Sequence, residues 1–371
     1  TLAFETFIPL ASPDIRKEDI AELVAVLTSG NLVQGERVAT LERSLEQYLG
    51  VQHCVAVSNG TASLHLILVA LGIGKGDEVI IPAFSYIATA NVVELVGATP
   101  IFVDIEIDSF NIDADKITEK ITQRTKAVMI VHEFGLSADT QKIKASCDER
   151  NIPLIEDAAC ALGAKEGVIY AGTTGVAGSF SFHPRKAITS GEGGAIVTNS
   201  SELAEKVKAL RNHGIEYGPN KELDFTCAGF NYRLTDFQAA LLISQVRRFD
   251  QILAKKDRIA YRYINEISNP KLKLPVAPEN KTHAWQTFHL LLDDSKDQKT
   301  VISELREMGI ESNYGAQCMP AQKFFQQKYK LDVTKKFPNA MKAYEKGLAV
   351  PLYEKLTDDN TAYVIKQINK I

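Results

Sequence analysis

Cysteine is sparse and scattered in this chain: Cys54, Cys147, Cys160, Cys227 and Cys318 are odd in number and nowhere spaced Cys-x-x-Cys. That argues against a disulfide framework or a zinc site and makes a reducing cytoplasm the simplest compartment. The seven histidines, His53, His65, His132, His183, His213, His283 and His289, show no metal-ligand spacing on one helix or hairpin, so no metal is assigned. No apolar run is long enough to span a bilayer, and the opening Thr1-Leu-Ala-Phe-Glu-Thr-Phe-Ile-Pro9 has no basic region followed by an apolar stretch. No membrane partner is expected. The net charge is -4, and the basic pairs Arg247-Arg248, Lys255-Lys256 and Lys335-Lys336 read as solvated faces rather than as a stripe that grips nucleic acid. Internal repeats and low-complexity tracts are missing. So are a Ser/His/Asp triad, a Gly-x-Ser-x-Gly elbow and a Walker lysine, which weakens hydrolase and nucleoside-triphosphatase readings.

What is present is a chain of 371 residues, 45% hydrophobic, long enough for two domains. Short β-rich runs alternate with helical stretches between about residues 53 and 200. Strands are expected at His53 to Ser58, Glu78 to Pro82, Thr99 to Asp104, Ala127 to Val131, Pro153 to Glu156, Ser179 to Phe182 and Gly194 to Thr198. This is the pattern of an α/β fold, a mostly parallel central sheet sandwiched by helices. Thr61 to Leu71 is apolar nearly all round and predicts a buried helix. A second helical region opens at Thr235, a candidate N-cap, runs to Phe249 and continues through Arg258 to Glu266, bridging two domains. New strand and helix signals begin at Trp285 and Lys299. The expected division is a large domain with an N-terminal arm, 1–250, and a smaller C-terminal α/β domain, 251–371.

Several residues could carry chemistry. Ser58-Asn-Gly-Thr-Ala62 joins a strand to a helix, so the amides of Gly60, Thr61 and Ala62 either face a phosphate or form an ordinary glycine turn with a threonine cap. The cluster Gly72-Ile-Gly-Lys-Gly76 follows a helix rather than a strand and reads as a helix-ending turn. Ile155-Glu-Asp-Ala-Ala159 ends a strand with two carboxylates, and ligands of open α/β sheets bind beyond the carboxyl ends of strands. Asp157 is therefore a candidate to face a cofactor, or else a loop acid or helix cap. Ser181, five positions before Lys186, can offer its hydroxyl to a phosphate or be a buried strand serine. Tyr86 can stack on a pyridine ring or belong to the core. Lys186, in Ser179-Phe-Ser-Phe-His-Pro-Arg-Lys186, is the most informative residue: a lysine in a partly dry pocket can react with the aldehyde of pyridoxal 5'-phosphate (PLP).

Taken in order, these motifs resemble the DegT/StrS-type nucleotide-sugar aminotransferase family, PLP enzymes of fold type I. The resemblance runs nearly end to end, through Ser29-Gly-Asn-Leu-Val-Gln-Gly35, Ser58-Asn-Gly-Thr-Ala-Ser-Leu-His65, Gly76-Asp-Glu-Val-Ile-Ile-Pro82, Phe102-Val-Asp104, Glu156-Asp-Ala-Ala159, Ser181-Phe-His-Pro-Arg-Lys186, Gly191-Glu-Gly-Gly194, Gly229 to Ala240 and Leu348-Ala-Val-Pro-Leu-Tyr353. It implies Lys186 as the Schiff-base lysine, Asp157 as the partner of the pyridinium nitrogen and Tyr86 as the stacking aromatic. Gly60, Thr61 and Ser181 become phosphate contacts, and Asn231 reaches the phosphate of the neighbouring subunit in a homodimer with shared active sites. Arg233 and His183 are candidates for the substrate side. Three positions depart from the pattern. Cys160 stands where His or Gln is expected beside the cofactor's ring hydroxyl, and a thiol is a weaker hydrogen-bond partner. Cys318-Met-Pro-Ala-Gln-Lys-Phe-Phe325 replaces a common Leu-His run. Glu133 occupies a variable position and receives no role.

The function the resemblance implies is transfer of an amino group from an amino acid, L-glutamate foremost, to a keto group of a nucleotide-linked deoxysugar, for cell-surface glycan or amino-sugar biosynthesis. Two alternatives stay in view. One keeps PLP but changes the reaction, to a cyclitol aminotransferase or a sugar dehydratase, the latter disfavoured by Lys186. The other is a non-catalytic PLP-fold sensor.

Overall fold

The computed structural model describes residues 7–218 and 220–371; residues 1–6, the start of the expected N-terminal arm, and Pro219 lie outside the described residues. Seven strands form the central sheet in the order His53–Val57, Gly194–Thr198, Ala177–Ser181, Leu154–Asp157, Thr125–Val131, Glu78–Pro82 and Thr99–Val103. Gly194–Thr198 runs antiparallel to both of its neighbours, and the remaining pairs are parallel. All seven coincide with the expected runs to within two residues at each end. They are legible because a strand covered on both faces must be apolar at consecutive positions rather than at alternate ones. Glu78–Pro82 and Gly194–Thr198 are buried along their whole length.

Helices cover both faces. Gly60–Ala70 buries seven of its eleven residues and packs on the strands at the sheet's first edge. Gly72 and Gly76 after it take positive φ, 71° and 96°, which a residue without Cβ adopts at little cost, so the glycine cluster is the helix-ending turn expected from sequence.

Thr235 caps the helix Asp236–Arg247 through a reciprocal capping box with Gln238. The expected continuous helix breaks at Arg248, φ −109° and ψ 15°, and a second helix runs Phe249–Glu266. At the break the Arg248 guanidinium turns inward and donates to both oxygens of Asp19 at 2.7 Å. Asp19 is fully buried; burial alone raises its pKa, but the Arg248 and Ser244 hydrogen bonds outweigh that and hold the carboxyl below its ordinary value.

Two of the basic pairs are thus not simply solvated. Arg248 is paired in the interior, and Lys256 is only 4% exposed, because neighbours on a helix point about 100° apart and only one member of each pair can face water.

The C-terminal part contains the three-stranded antiparallel sheet Leu272–Lys273, Phe288–Leu292 and Gly347–Val350, with helices Gln298–Glu307 and Asp358–Ile368. Trp285 to Thr287 does not join the strand expected to begin there: Trp285 has φ 47°, and the amides of Gln286 and Thr287 are spent on the Phe134 carbonyl. Ile259, Trp285, Phe288, Leu290 and Val364 share one apolar cluster, and Ile8 joins it by pairing with Ile310. Gln317–Cys318 pairs with Phe84–Ser85, and Phe325 and Phe337 meet Phe102 edge-on, so the C-terminal residues close over the carboxyl ends of the central strands. No described helix is long and apolar enough to cross a membrane.

Candidate active site

Sheet register brings the candidate residues together. Val57 pairs with Gly194, Gly194 with Ser181, Ser179 with Asp157, and Asp157 with Val131, so four chain crossings line up along one end of the sheet. Gly194 must be glycine there: a Cβ would stand 2.6 Å from the Asn59 carbonyl carbon and oxygen. Gly60 starts its helix against Ser181, whose Cβ lies 2.9 Å from where a Gly60 Cβ would be. Helix starts leave their first amides without intrahelical partners. The Asn59 side chain takes the Ala62 amide at 2.8 Å, which corrects the expectation that three amides are free and leaves those of Gly60 and Thr61 to meet an anion beside the Ser181 hydroxyl. Gly60→Ala, which forces a methyl into this corner, is expected to cost about 1–3 kcal/mol as overpacking. A thermal melt of the variant against wild type checks it.

Strand alternation separates the two adjacent carboxylates of Glu156-Asp157. Glu156 points away from the ligand end and is consumed structurally: it accepts from the amides of Gly172, Thr174 and Gly175 at 2.8, 2.7 and 2.6 Å, and meets His132 Nε2 at 2.8 Å. The Ala138 amide donates to His132 Nδ1, so Nε2 carries the proton given to Glu156. Burial would raise the Glu156 carboxyl, yet these bonds hold it below its usual range. Asp157 faces the other way, 5% exposed, accepting from Thr89 Oγ1 at 2.8 Å and the Ala159 amide at 3.1 Å. Burial is the largest influence on Asp157 and raises its pKa, against the opposing pull of Thr89, Ala159 and the Lys186 ammonium. Thr89 was not found from sequence; its position one helical turn after Tyr86 is the only signal it offers.

Lys186 lies in the loop after Ala177–Ser181, its amide donating to the His183 carbonyl at 2.8 Å. Nζ donates to Cys160 Sγ at 3.1 Å. Burial pushes a lysine down, but Cys160, Asp157 and Glu133 outweigh it and raise Lys186 above its ordinary value, so the free protein holds this amine as a cation. The Cys160 thiol is pushed up by burial, although Lys186 opposes the shift.

Lys256, a second amine electrostatically linked to Cys160 and Lys186, is brought down to about 7 by burial. Glu133, given no role from sequence, is 3% exposed and also interacts with Asp157 and Lys186.

The other candidates are more open. Tyr86 is 65% exposed, one residue past the short strand Phe84–Ser85. Asn231 is exposed and bridges Asn212, whose side chain also accepts from Arg233 Nη1 at 2.6 Å. His183 is half-buried and lowered chiefly by burial; its Nδ1 accepts from the Arg185 amide at 3.3 Å. Among the described residues no His, Cys, Asp and Glu group has the makings of a metal site.

The donor set suits PLP on chemical grounds: a half-buried amine for the aldehyde, a buried carboxyl for the ring nitrogen, and a glycine-lined helix start with a serine hydroxyl for the phosphate.

A family model, the DegT/DnrJ/EryC1/StrS aminotransferase family, matches residues 13–369. The spore coat polysaccharide biosynthesis protein SpsC of Bacillus subtilis is 34% identical over 98% of this chain and 97% of its own. Among solved structures, Helicobacter pylori PseC, an aminotransferase of pseudoaminic acid biosynthesis, superposes with a TM-score of 0.93 at 28% identity, covering 98% of this chain and 99% of that one. Spr1654 from Streptococcus pneumoniae, a candidate sugar aminotransferase solved in its PLP form, does so with 0.93 at 28% identity, covering 98% of each chain.

Proposed function

Because the chain belongs to the DegT/DnrJ/EryC1/StrS aminotransferase family and is a PLP-dependent aminotransferase, we propose that it moves an amino group from L-glutamate to a keto group of a nucleotide-linked deoxysugar. The single observation that carries the site assignment is the half-buried Lys186 amine, hydrogen-bonded to Cys160 Sγ at 3.1 Å, at the same end of the sheet as the buried Asp157 carboxyl three residues before that cysteine. The sugar class is supported by the saccharide pathways named for SpsC and PseC.

In this reading Lys186 holds the cofactor, and Gly60, Thr61 and Ser181 take its phosphate. Tyr86 covers one ring face. Asp157 faces the ring nitrogen; a cation set against this carboxyl offsets the burial that raises it and keeps it ionised. When bound, the cofactor would supply an electron sink for the substrate carbon that gives up its proton. Lys186 Nζ would move the proton at the substrate carbon, a general acid–base role worth about 10²- to 10⁴-fold. Arg233 and His183 are substrate-side groups at the mouth, and Cys160 borders Lys186.

Asn231 completes the phosphate site of a second copy in a homodimer. Exposed apolar surface supports that assembly: Ile20, Val24 and Leu27, spaced along one face of the helix Lys17–Ser29, and Tyr217 and Phe225 on the hairpin Ile215–Tyr217 and Leu223–Phe225. The same reading divides the chain at about residue 250 into a cofactor domain and a smaller C-terminal domain, and places it in the cytoplasm with small-molecule substrates.

The test is a pair of half-reactions on the holoenzyme. L-glutamate is expected to bleach the lysine-bound cofactor band with one equivalent of 2-oxoglutarate released, and a nucleotide-linked keto-deoxysugar to restore it. Stoichiometric PLP that no amino acid converts would revive the sensor reading. Restoration by cyclitol ketones alone would redirect the acceptor class.

A further inference from the structure

Glu133 is the buried acid that the site described so far leaves idle. It sits in the turn Glu133–Gly135, just past the carboxyl end of Thr125–Val131, the strand paired with the one that ends in Asp157. The turn is held in place from several sides. Asn111 Oδ1 accepts the Glu133 amide at 2.8 Å, and the Phe134 carbonyl accepts from Gln286 at 3.0 Å. Phe134 is kept at φ 54°, a left-handed conformation that costs a side-chain-bearing residue about 1–3 kcal/mol and persists only where its surroundings impose it. At Gly135 a Cβ would stand 3.1 Å from the Cys160 carbonyl oxygen, so the turn lies directly against the cysteine that contacts Lys186.

The Glu133 carboxyl is incompletely partnered. Its Oε2 is buried with no hydrogen-bond partner among the described residues, a costly arrangement for a group that can accept twice. The titratable and charged groups around it come from every neighbouring element: Lys186 from the loop after Ala177–Ser181, Asp157 and Cys160 from the end of the adjacent strand, and Asp108, His283 and His289 around a cavity of about 10 Å³ that it also lines. Ser85 stands beside it. Burial holds the His283 and His289 rings neutral. Lys186 is therefore the cation set against this carboxyl.

We propose that Glu133 is a positioning residue of the amino-transfer site, a buried carboxyl whose free oxygen partners the Lys186 nitrogen and the phenolic oxygen next to it on the cofactor ring. The aldehyde and hydroxyl of PLP sit on adjacent ring carbons, so whatever borders Lys186 Nζ also borders that oxygen. Here a thiol, a weak donor and weak acceptor, borders Nζ, and the turn that carries the Glu133 carboxyl packs against the same cysteine. Burial raises Glu133 to about 8, with Asp157 adding to the rise and Ser85 and Lys186 already opposing it, so the carboxyl can donate at pH 7, and above that value it carries a charge that keeps the proton on Lys186.

The inference rests on Lys186 holding the cofactor, and the experiment separates the two. Wild type, Glu133→Gln and Glu133→Leu are reconstituted with PLP, titrated by absorbance between about pH 5 and 10, and followed for cofactor release. Glu133→Gln, which keeps the shape but not the charge, should lower the midpoint of the lysine-bound band by about one pH unit, a tenfold change in proton affinity. Glu133→Leu should lower it at least as far and speed PLP release about tenfold, since it removes the hydrogen bond as well. A midpoint equal to wild type in Glu133→Gln, with an unchanged melting temperature, overturns the proposal, and that variant decides alone if Glu133→Leu does not fold. Borohydride label found away from Lys186 in the wild type would instead bring down the site assignment, and this inference with it.

Discussion

Lys186→Ala is expected to abolish the visible absorption of the lysine-bound cofactor and to lower turnover by about 10⁴-fold or more, because one substitution removes both the covalent anchor and the group that moves the substrate proton. The fold should survive. Lys186 sits in a loop, the local turn is held by its backbone bond to His183, and its ammonium contacts only the Cys160 sulfur by hydrogen bond. Removal of the amine leaves Asp157 and Glu133 without their nearest cation, so both carboxyls should bind protons more tightly in the variant. Absorbance spectroscopy, a coupled glutamate assay and a thermal melt read the three outcomes. Full activity in Lys186→Ala would eliminate the assignment.

Asp157→Asn is the second large effect. The amide keeps the shape and can still accept from Ala159, while the Thr89 hydroxyl can rotate to accept from it, so little stability is at stake. In the proposed reading, what disappears is the negative charge against the ring nitrogen. An opposite charge at contact range is worth about 1–3 pKa units, which sets the expected loss in rate at about 10- to 10³-fold with PLP still retained. Rate constants for the glutamate half-reaction, taken at matched cofactor occupancy, test it; unchanged kinetics would remove Asp157 from the mechanism.

The two variants probe residues that differ in how visible they are before folding. Asp157 could be singled out because a carboxylate ends an apolar run, but its neighbour Glu156 carries the same signal. Only the alternation of the strand separates them, one toward the ligand end and the other into His132 and three backbone amides. Thr89, Glu133 and Lys256 were beyond sequence reasoning for a different reason. Each is an ordinary residue type in an ordinary local setting, and its significance arises from what stands across the pocket: Asp157 for Thr89, and Lys186 for both of the others. The same applies to Arg248, whose apparent place in a solvated basic pair gives way to a buried ion pair with Asp19, more than two hundred residues earlier in the chain.

Periodicity and punctuation determined the layered α/β architecture, because a doubly covered parallel strand needs a short apolar run and a glycine turn after it, and both are local properties of the chain. The glycine before Thr61, the acid at 157 and the lysine at 186 were legible on the same terms. The tertiary structure alone decided which side chains share the pocket, which carboxylate is structural, and how a buried acid with a free oxygen came to stand in the turn packed against Cys160. Those outcomes depend on register between strands far apart in sequence and on the low-polarity surroundings that make a buried charge depend on its neighbours, and neither is written in the spacing of residues along the chain.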